Sequence, residues 1–206
     1  MTDGLQSTSG QEQERPPAAG QENPAGEGLG ARQENSPGGL DARLFVALRT
    51  KLHFQPLEMA VSLLSTSGNY GLFWVALAIV FWLVGDPRGT IIMIPLTVWL
   101  TLLINYMVKS FLRRERPVAA AGSGLEPLVK VPSSSSFPSA HAAMSFAAAS
   151  VFTYFHTSLW FLFFGLAVII SWSRVYVGVH YPSDVLGGAA VGLAMGVLGA
   201  AFLAWA

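Results

Sequence analysis

Between Leu57 and Ala206 apolar stretches follow one another at nearly regular intervals, and this spacing restricts the chain more than any single residue does. They run from about Leu57 to Val84, Thr90 to Leu112, His141 to Phe155, Leu159 to Val179 and Val185 to Ala206. A helix needs ~20 mainly apolar residues to cross a bilayer. The second and fifth stretches meet that length outright, and the first has a weak point at Ser67-Gly68-Asn69. The third is short and rich in alanine, which suits a position enclosed by other helices. Backbone polar groups have no water partners in lipid, so each stretch is predicted to be helical. The expected fold is therefore all-α: an integral membrane bundle of about five transmembrane helices. Composition agrees, since the chain is 52% hydrophobic and only 12% charged, where soluble domains carry about 25%. Gly188, Gly192 and Gly196 form a small-residue stripe that lets helices approach closely.

The region before the bundle differs. Residues 1–40 contain eight glycines and four prolines and no aromatic residue. Such a segment buries too little apolar surface to offset its ordering entropy, and it is read as a disordered tail. It also lacks the apolar core of a signal peptide. In residues 41–56, Leu44, Phe45, Leu48 and Leu52 fall at helical spacing with Arg43, Arg49 and Lys51 between them. This predicts an amphipathic helix at the membrane interface, with Asp41 as N-cap. The catalytic domain is placed at 41–206, with its motifs between 109 and 184.

Ionisable residues beside membrane spans are costly, so each is a functional hypothesis. Three clusters stand out. Lys109 and Arg116-Pro117 close the second span, and Lys109 and Arg116 are two helical turns apart, on one face. Pro138-Ser139-Ala140-His141 opens the third span, where Ser139 can satisfy free N–H groups. Ser173-Arg174 and His180 through Asp184 lie between the fourth and fifth spans. Counting sides puts all three clusters on one membrane face. Lys109, Arg116 and Arg174 suit a group with several anionic oxygens. Two histidines can divide nucleophile and acid–base roles, and Asp184 can orient His180. No carboxylate cluster is available to hold magnesium, so neither a metal nor a cofactor is expected. The pattern reads as phosphoryl transfer in a cationic cradle. There is no cysteine, and formal net charge is zero, so nothing favours a nucleic-acid partner. Arg113 and Arg114 read as snorkelling flanks, His53 and His156 as interfacial residues. Trp74, Trp99, Trp160 and Tyr176 read as interface anchors or packing.

These residues carry a resemblance. Lys-(six residues)-Arg-Pro at Lys109–Pro117, Pro-Ser-Ala-His at 138–141, and Ser-Arg-(five)-His-(three)-Asp at Ser173–Asp184 resemble the motifs of the type 2 phosphatidic acid phosphatase superfamily. That superfamily also includes vanadium-dependent haloperoxidases and glucose-6-phosphatase. The resemblance covers residues 57–206. It implies that His180 attacks phosphorus, that Asp184 holds His180, and that His141 protonates the leaving oxygen and then activates water. It implies that Lys109, Arg116, Ser139, Ala140 and Arg174 bind the phosphate. Ala140 stands where the family usually has glycine. If that position needs positive φ, alanine costs about 1 kcal/mol or more.

The expected function is hydrolysis of a lipid phosphate monoester or diphosphate through a phosphohistidine. Phosphatidate, phosphatidylglycerol phosphate and isoprenoid-linked phosphates all present the required group. The build resembles bacterial members, including actinobacterial isoprenoid-linked phosphatases. The alternatives are a non-catalytic lipid-phosphate-binding protein, which would be expected to lose a histidine, and an anion transporter, which would spread its charges through the membrane depth. A soluble haloperoxidase does not suit a membrane-spanning chain. The expected partners are the bilayer and the lipid substrate, and a homo-oligomer stays open. The site side carries Arg43, Arg49, Lys51, Arg113, Arg114 and Lys130, against Arg88 opposite. By the positive-inside rule the active site of this plasma-membrane protein is expected to face the cytoplasm.

Overall fold

The computed structural model describes residues 39–50, 55–85, 88–117 and 126–205. All belong to one unit, Ser36–Ala206. The expected tail up to residue 38, Lys51, His53, the Asp86-Pro87 turn and residues 118–125 lie outside the described residues. Among the described residues these α-helices follow in order: α1 (Leu40–Thr50), α2 (Gln55–Ser67), α3 (Leu72–Leu83), α4 (Arg88–Phe111), α5 (Ala140–Phe155), α6 (Trp160–Tyr176) and α7 (Pro182–Trp205). Short 3-10 turns at Asn69–Gly71 and Thr157–Leu159 join α2 to α3 and α5 to α6. No strand occurs among the described residues.

The five expected spans resolve into three kinds. Segments 89–111, 157–176 and 182–205, containing α4, α6 and α7, are each long and apolar enough to cross a membrane. Helices α2 and α3 reach that length only together, bent by 61° at their junction. Helix α5 has 16 residues, about 24 Å of rise, short of a ~30 Å hydrocarbon core. It is buried along most of its length, from His141 through Phe152. A helix apolar on all sides belongs inside a bundle.

Helix α5 can sit there because α7 offers it a bare backbone. A Cβ at Gly188 would strike the Ser139 carbonyl oxygen, one at Gly192 the Ala143 carbonyl oxygen, and one at Gly196 the Ser150 side chain. The predicted glycine stripe is thus the α5–α7 seam. At the opposite end from the charged motifs, aromatic packing closes the bundle. Phe152 and Phe163 stack with centroids 4.7 Å apart, and Phe81 lies 5.5 Å from Phe152. Trp74 is buried beside them and donates from Nε1 to Ser145 Oγ at 3.0 Å.

The break at Ser67–Asn69 is real and sharp. Tyr70 (φ 55°) and Gly71 (φ 73°) are both left-handed. This costs a non-glycine residue about 1 kcal/mol. Gly71 has no room for a Cβ, which would meet Val98. Trp160, at the head of α6, and Trp99, midway along α4, are exposed, whereas Trp74 and Tyr176 are packing residues.

Helix α1 covers Leu40–Thr50 of the expected 41–56 segment, whose residues 51–54 lie outside the described residues. One side of it is buried. Phe45 packs edge-on against Tyr181 at 5.9 Å, with Val175 beside them. Asp41 sits within the first turn rather than capping it. Its carboxylate accepts from the Ser183 backbone N–H at 3.0 Å, one of the free donors at the start of α7. Leu44 and Leu48 stay exposed, so an apolar edge still faces outward.

Candidate active site

Four chain segments end at one level of the bundle: the tail of α4, the head of α5, the tail of α6 and the head of α7. Between them lies a cavity of about 680 Å³, whose lining includes Lys109, Arg116, Ala140, His141, Arg174 and His180. The structure therefore brings six of the eight expected site residues to one space. Ser139 and Asp184 are fully buried and do not line it.

His180 sits in the turn between α6 and α7, only 2% exposed. Its Nδ1 faces Asp184 Oδ2 at 3.5 Å, and its Nε2 faces Arg116 Nη1 at 3.5 Å. The carboxylate on one side favours the tautomer with the proton on Nδ1, leaving the Nε2 lone pair toward the cavity. Burial pushes the His180 pKa down to about 3; the Asp184 hydrogen bond opposes this, while Arg116, Arg174 and Lys109 add to it. The ring is therefore a neutral base at neutral pH.

Asp184 has no exposed surface, and its oxygens are fully used. Oδ2 accepts from Ser136 Oγ at 2.5 Å and from the Tyr181 N–H at 2.8 Å. Oδ1 pairs with Arg114 Nη1 at 2.7 Å. A buried carboxylate needs such partners, because desolvating it alone is costly.

The cations are held by backbone carbonyls. Lys109 Nζ donates to Ser135 O at 2.6 Å. Arg116 donates to Val179 O at 2.8 Å and to Ser134 O at 3.1 Å. Carbonyls orient these groups without neutralising them. Arg174 reaches both the hydroxyl and the carbonyl of Ser65, and its buried Nε makes no hydrogen bond. His141 is directed the same way: its Nε2 lies 3.2 Å from Ser65 O. The α2–α3 break makes this possible by turning the end of α2 into the site. A Cβ at Gly68 would approach His141 Cδ2 to 2.9 Å.

Several expectations need correction. Lys109 and Arg116 do not share a helix face, since α4 stops at Phe111 and Arg116 lies on the non-helical run that follows. Ser139 occupies the N-cap position of α5 without a side-chain cap bond, and its hydroxyl has no partner. Ala140 lies in α5, and the one non-glycine residue of positive φ among those described is Tyr70. The feared strain is absent. Arg114 is no snorkelling flank, because it bridges Asp41 and Asp184. Sequence reasoning missed Ser65, Ser136, Arg114 and Asp41. Ser65 had no signal beyond its place before the weak point. Ser136 was hidden in a run of four serines. Among the described residues, no three His, Asp or Glu side chains are grouped to hold a metal ion.

Comparison with known proteins fits this geometry. Decaprenylphosphoryl-5-phosphoribose phosphatase of Mycobacterium tuberculosis is 31% identical over 180 residues, 80% of this chain and 91% of its own length. Three other curated relatives are matched over 60%, 66% and 47% of their length, so the chain spans about half to two thirds of them. Among solved structures, Aquifex aeolicus LpxE superposes with a TM-score of 0.67 at 26% identity, covering 80% of this chain and 97% of that one. A transmembrane PAP2-type phosphatidylglycerolphosphate phosphatase from Bacillus subtilis gives 0.66 at 25% identity, covering 80% and 85%. The family model of the PAP2 superfamily matches residues 90–206, which hold every charged motif of the cavity. The chain belongs to the PAP2 superfamily.

Proposed function

We propose that this protein is a membrane-embedded lipid phosphatase working through a phosphohistidine on His180. The observation that carries this reading is the convergence of Lys109, Arg116, Arg174 and the Nε2 of His180 on one cavity. His180 Nε2 attacks phosphorus, forming a P–N bond as the bond to the lipid oxygen breaks. His141, protonated as the anionic phosphate enters the cavity, gives its proton to that oxygen. Neutral His141 then takes a proton from water, whose oxygen attacks phosphorus as the P–N bond to His180 breaks, releasing inorganic phosphate. The three cations and the unpartnered Arg174 Nε supply charge and donors for the phosphate oxygens. Leu102, Met144, Tyr70 and Tyr106 also line the cavity, and their apolar surface suits a lipid leaving group. An isoprenoid-linked phosphate is the substrate class with most support, from the name of the mycobacterial relative. The test is phosphate release by purified protein from phosphatidate, phosphatidylglycerol phosphate, an isoprenoid diphosphate and a prenyl-linked sugar phosphate in excess EDTA. Release is expected to persist; activity lost on chelation and restored by magnesium sinks the mechanism.

The site is proposed to face the cytoplasm. Helix α1, with Arg43 and Arg49, lies at the same end as the cavity, through Asp41 and Phe45. That end also carries Arg113, Arg114 and Lys130, which supports the positive-inside assignment. A cysteine introduced at exposed Lys130 should resist a membrane-impermeant maleimide in intact cells. Ready labelling places the site outside.

A further inference from the structure

The run from Leu112 to Arg116 fastens two parts of the site at Arg114. Its backbone N–H donates to Ser135 Oγ at 3.1 Å, and its carbonyl accepts from the Ser136 N–H at 2.9 Å. Ser136 is the residue whose hydroxyl donates to Asp184 Oδ2. The Arg114 side chain meanwhile takes the other oxygen, Oδ1, at 2.7 Å, and lies over the Tyr181 ring at 4.5 Å. A carboxylate is a rigid plane. Pinning Oδ1 from one direction leaves its rotation fixed, with Oδ2 turned toward His180 Nδ1.

The guanidinium is itself held. Its Nη2 pairs with Asp41 Oδ2 at 2.6 Å, and Ser183 Oγ donates to the same oxygen at 2.5 Å. Asp41 belongs to α1, outside residues 90–206 matched by the family. The Arg114 side chain is 31% exposed and Asp41 23%, against 0% for Asp184. The chain of contacts therefore leads from a half-exposed interfacial helix to a dry catalytic carboxylate.

We propose that Arg114 is a positioning residue that acts on His180 through Asp184, and that Asp41 of α1 holds Arg114 in place. The proposal rests on the phosphatase reading. It gives α1 a role in chemistry: Asp41 acts on the nucleophile through two intervening residues, Arg114 and Asp184. Neither side chain lines the phosphate cavity, so their removal should slow turnover and leave substrate binding alone.

The groups facing His180 are Asp184 of α7, Arg116, Lys109 of α4 and Arg174 of α6, with His141 of α5 near enough to interact electrostatically. Arg114 adds a positive charge one step behind Asp184, and Asp41 offsets it. The two deletions therefore act oppositely on proton binding at His180. Removing Arg114 raises it; removing Asp41 does not.

The experiment uses the full chain in lipid nanodiscs, comparing wild type with Arg114→Gln, Arg114→Lys, Asp41→Asn and Arg113→Gln. Arg113 is exposed and serves as a control for charge loss alone. Arg114→Gln is expected to lower kcat about 100-fold with KM within twofold, the scale of a misplaced catalytic group. Its kcat/KM acid limb should move to higher pH. Arg114→Lys should recover part of kcat, and Asp41→Asn should lose roughly 10-fold in kcat without the upward shift of the acid limb. Equal effects of Arg113→Gln and Arg114→Gln, or a loss confined to KM, overturn the proposal. Ring ¹⁵N spectra of histidine-labelled protein give a readout independent of turnover. Wild type should show His180 protonated on Nδ1, and Arg114→Gln a mixture of tautomers. If wild type releases no phosphate from any lipid, the phosphatase reading falls while these spectra still decide the positioning role. Unchanged His180 resonances in Arg114→Gln refute it.

Discussion

The two ends of helix α5 are built on opposite principles. At its head, around His141, buried charges are held by directional hydrogen bonds to carbonyls and carboxylates. At its tail, Phe152 stacks on Phe163 and neighbours Phe81 without any charge between them. Directional bonds fix atoms to within fractions of an ångström but tolerate little substitution. Ring packing stabilises without aiming anything. The difference separates aim from anchorage along one 16-residue helix, so the two properties should respond to different mutations.

The strongest test of that separation is His180→Ala. Turnover should fall roughly 10⁴-fold or more, while the melting temperature stays near or above wild type, since the variant buries no imidazole among cations. A large residual rate would move the nucleophile elsewhere. Phe152→Ala is the converse experiment. It should cost about 3 kcal/mol of stability by leaving a cavity in the aromatic cluster, yet kcat measured well below its melting point should match wild type. A kcat loss there would show that the tail also aims the head.

Acid titration sharpens the comparison further. His180 is held neutral down to about pH 3, whereas an unfolded histidine takes a proton near pH 6.5. It therefore costs the fold nothing by proton linkage above about pH 6.5, and destabilises it progressively toward pH 3 as the unfolded chain gains a proton. Thermal scans should show this acid loss in wild type and a smaller one in His180→Gln. The smallest effect is expected for Ala140→Gly. Ala140 is helical and unstrained, so glycine relieves nothing; activity should change less than about twofold and stability fall by at most about 1 kcal/mol.

Much of this was legible in the sequence because lipid forces a simple rule on the backbone. Helices were predictable wherever apolar stretches ran, and the charged motifs fell at the ends of those stretches. His180, Asp184, Lys109, Arg116, Arg174 and His141 were readable as the costly residues. What stayed hidden depends on geometry that spacing does not encode. The Ser67–Asn69 weak point gave no sign that its 61° bend turns Ser65 toward His141 and Arg174. Arg114 sits beside Arg113 in sequence, and only the fold shows that one of the two meets a buried carboxylate. Helical projection placed Arg116 correctly on the site side, but for the wrong reason, since α4 had already ended.

The α5–α7 seam has a consequence for how the enzyme lives in its membrane. His141 starts one helix and Asp184 the other, and the Ser139 N–H donates to the Asp184 carbonyl at 2.9 Å. Because glycines let peptide groups touch directly, the separation of these two residues is set by main-chain atoms and not by adaptable side chains. Helix α5 is too short to sense both bilayer surfaces. Lipids of different thickness can tilt or bend the outer helices, at a modest cost per ångström of mismatch, without stretching the distance between His141 and Asp184.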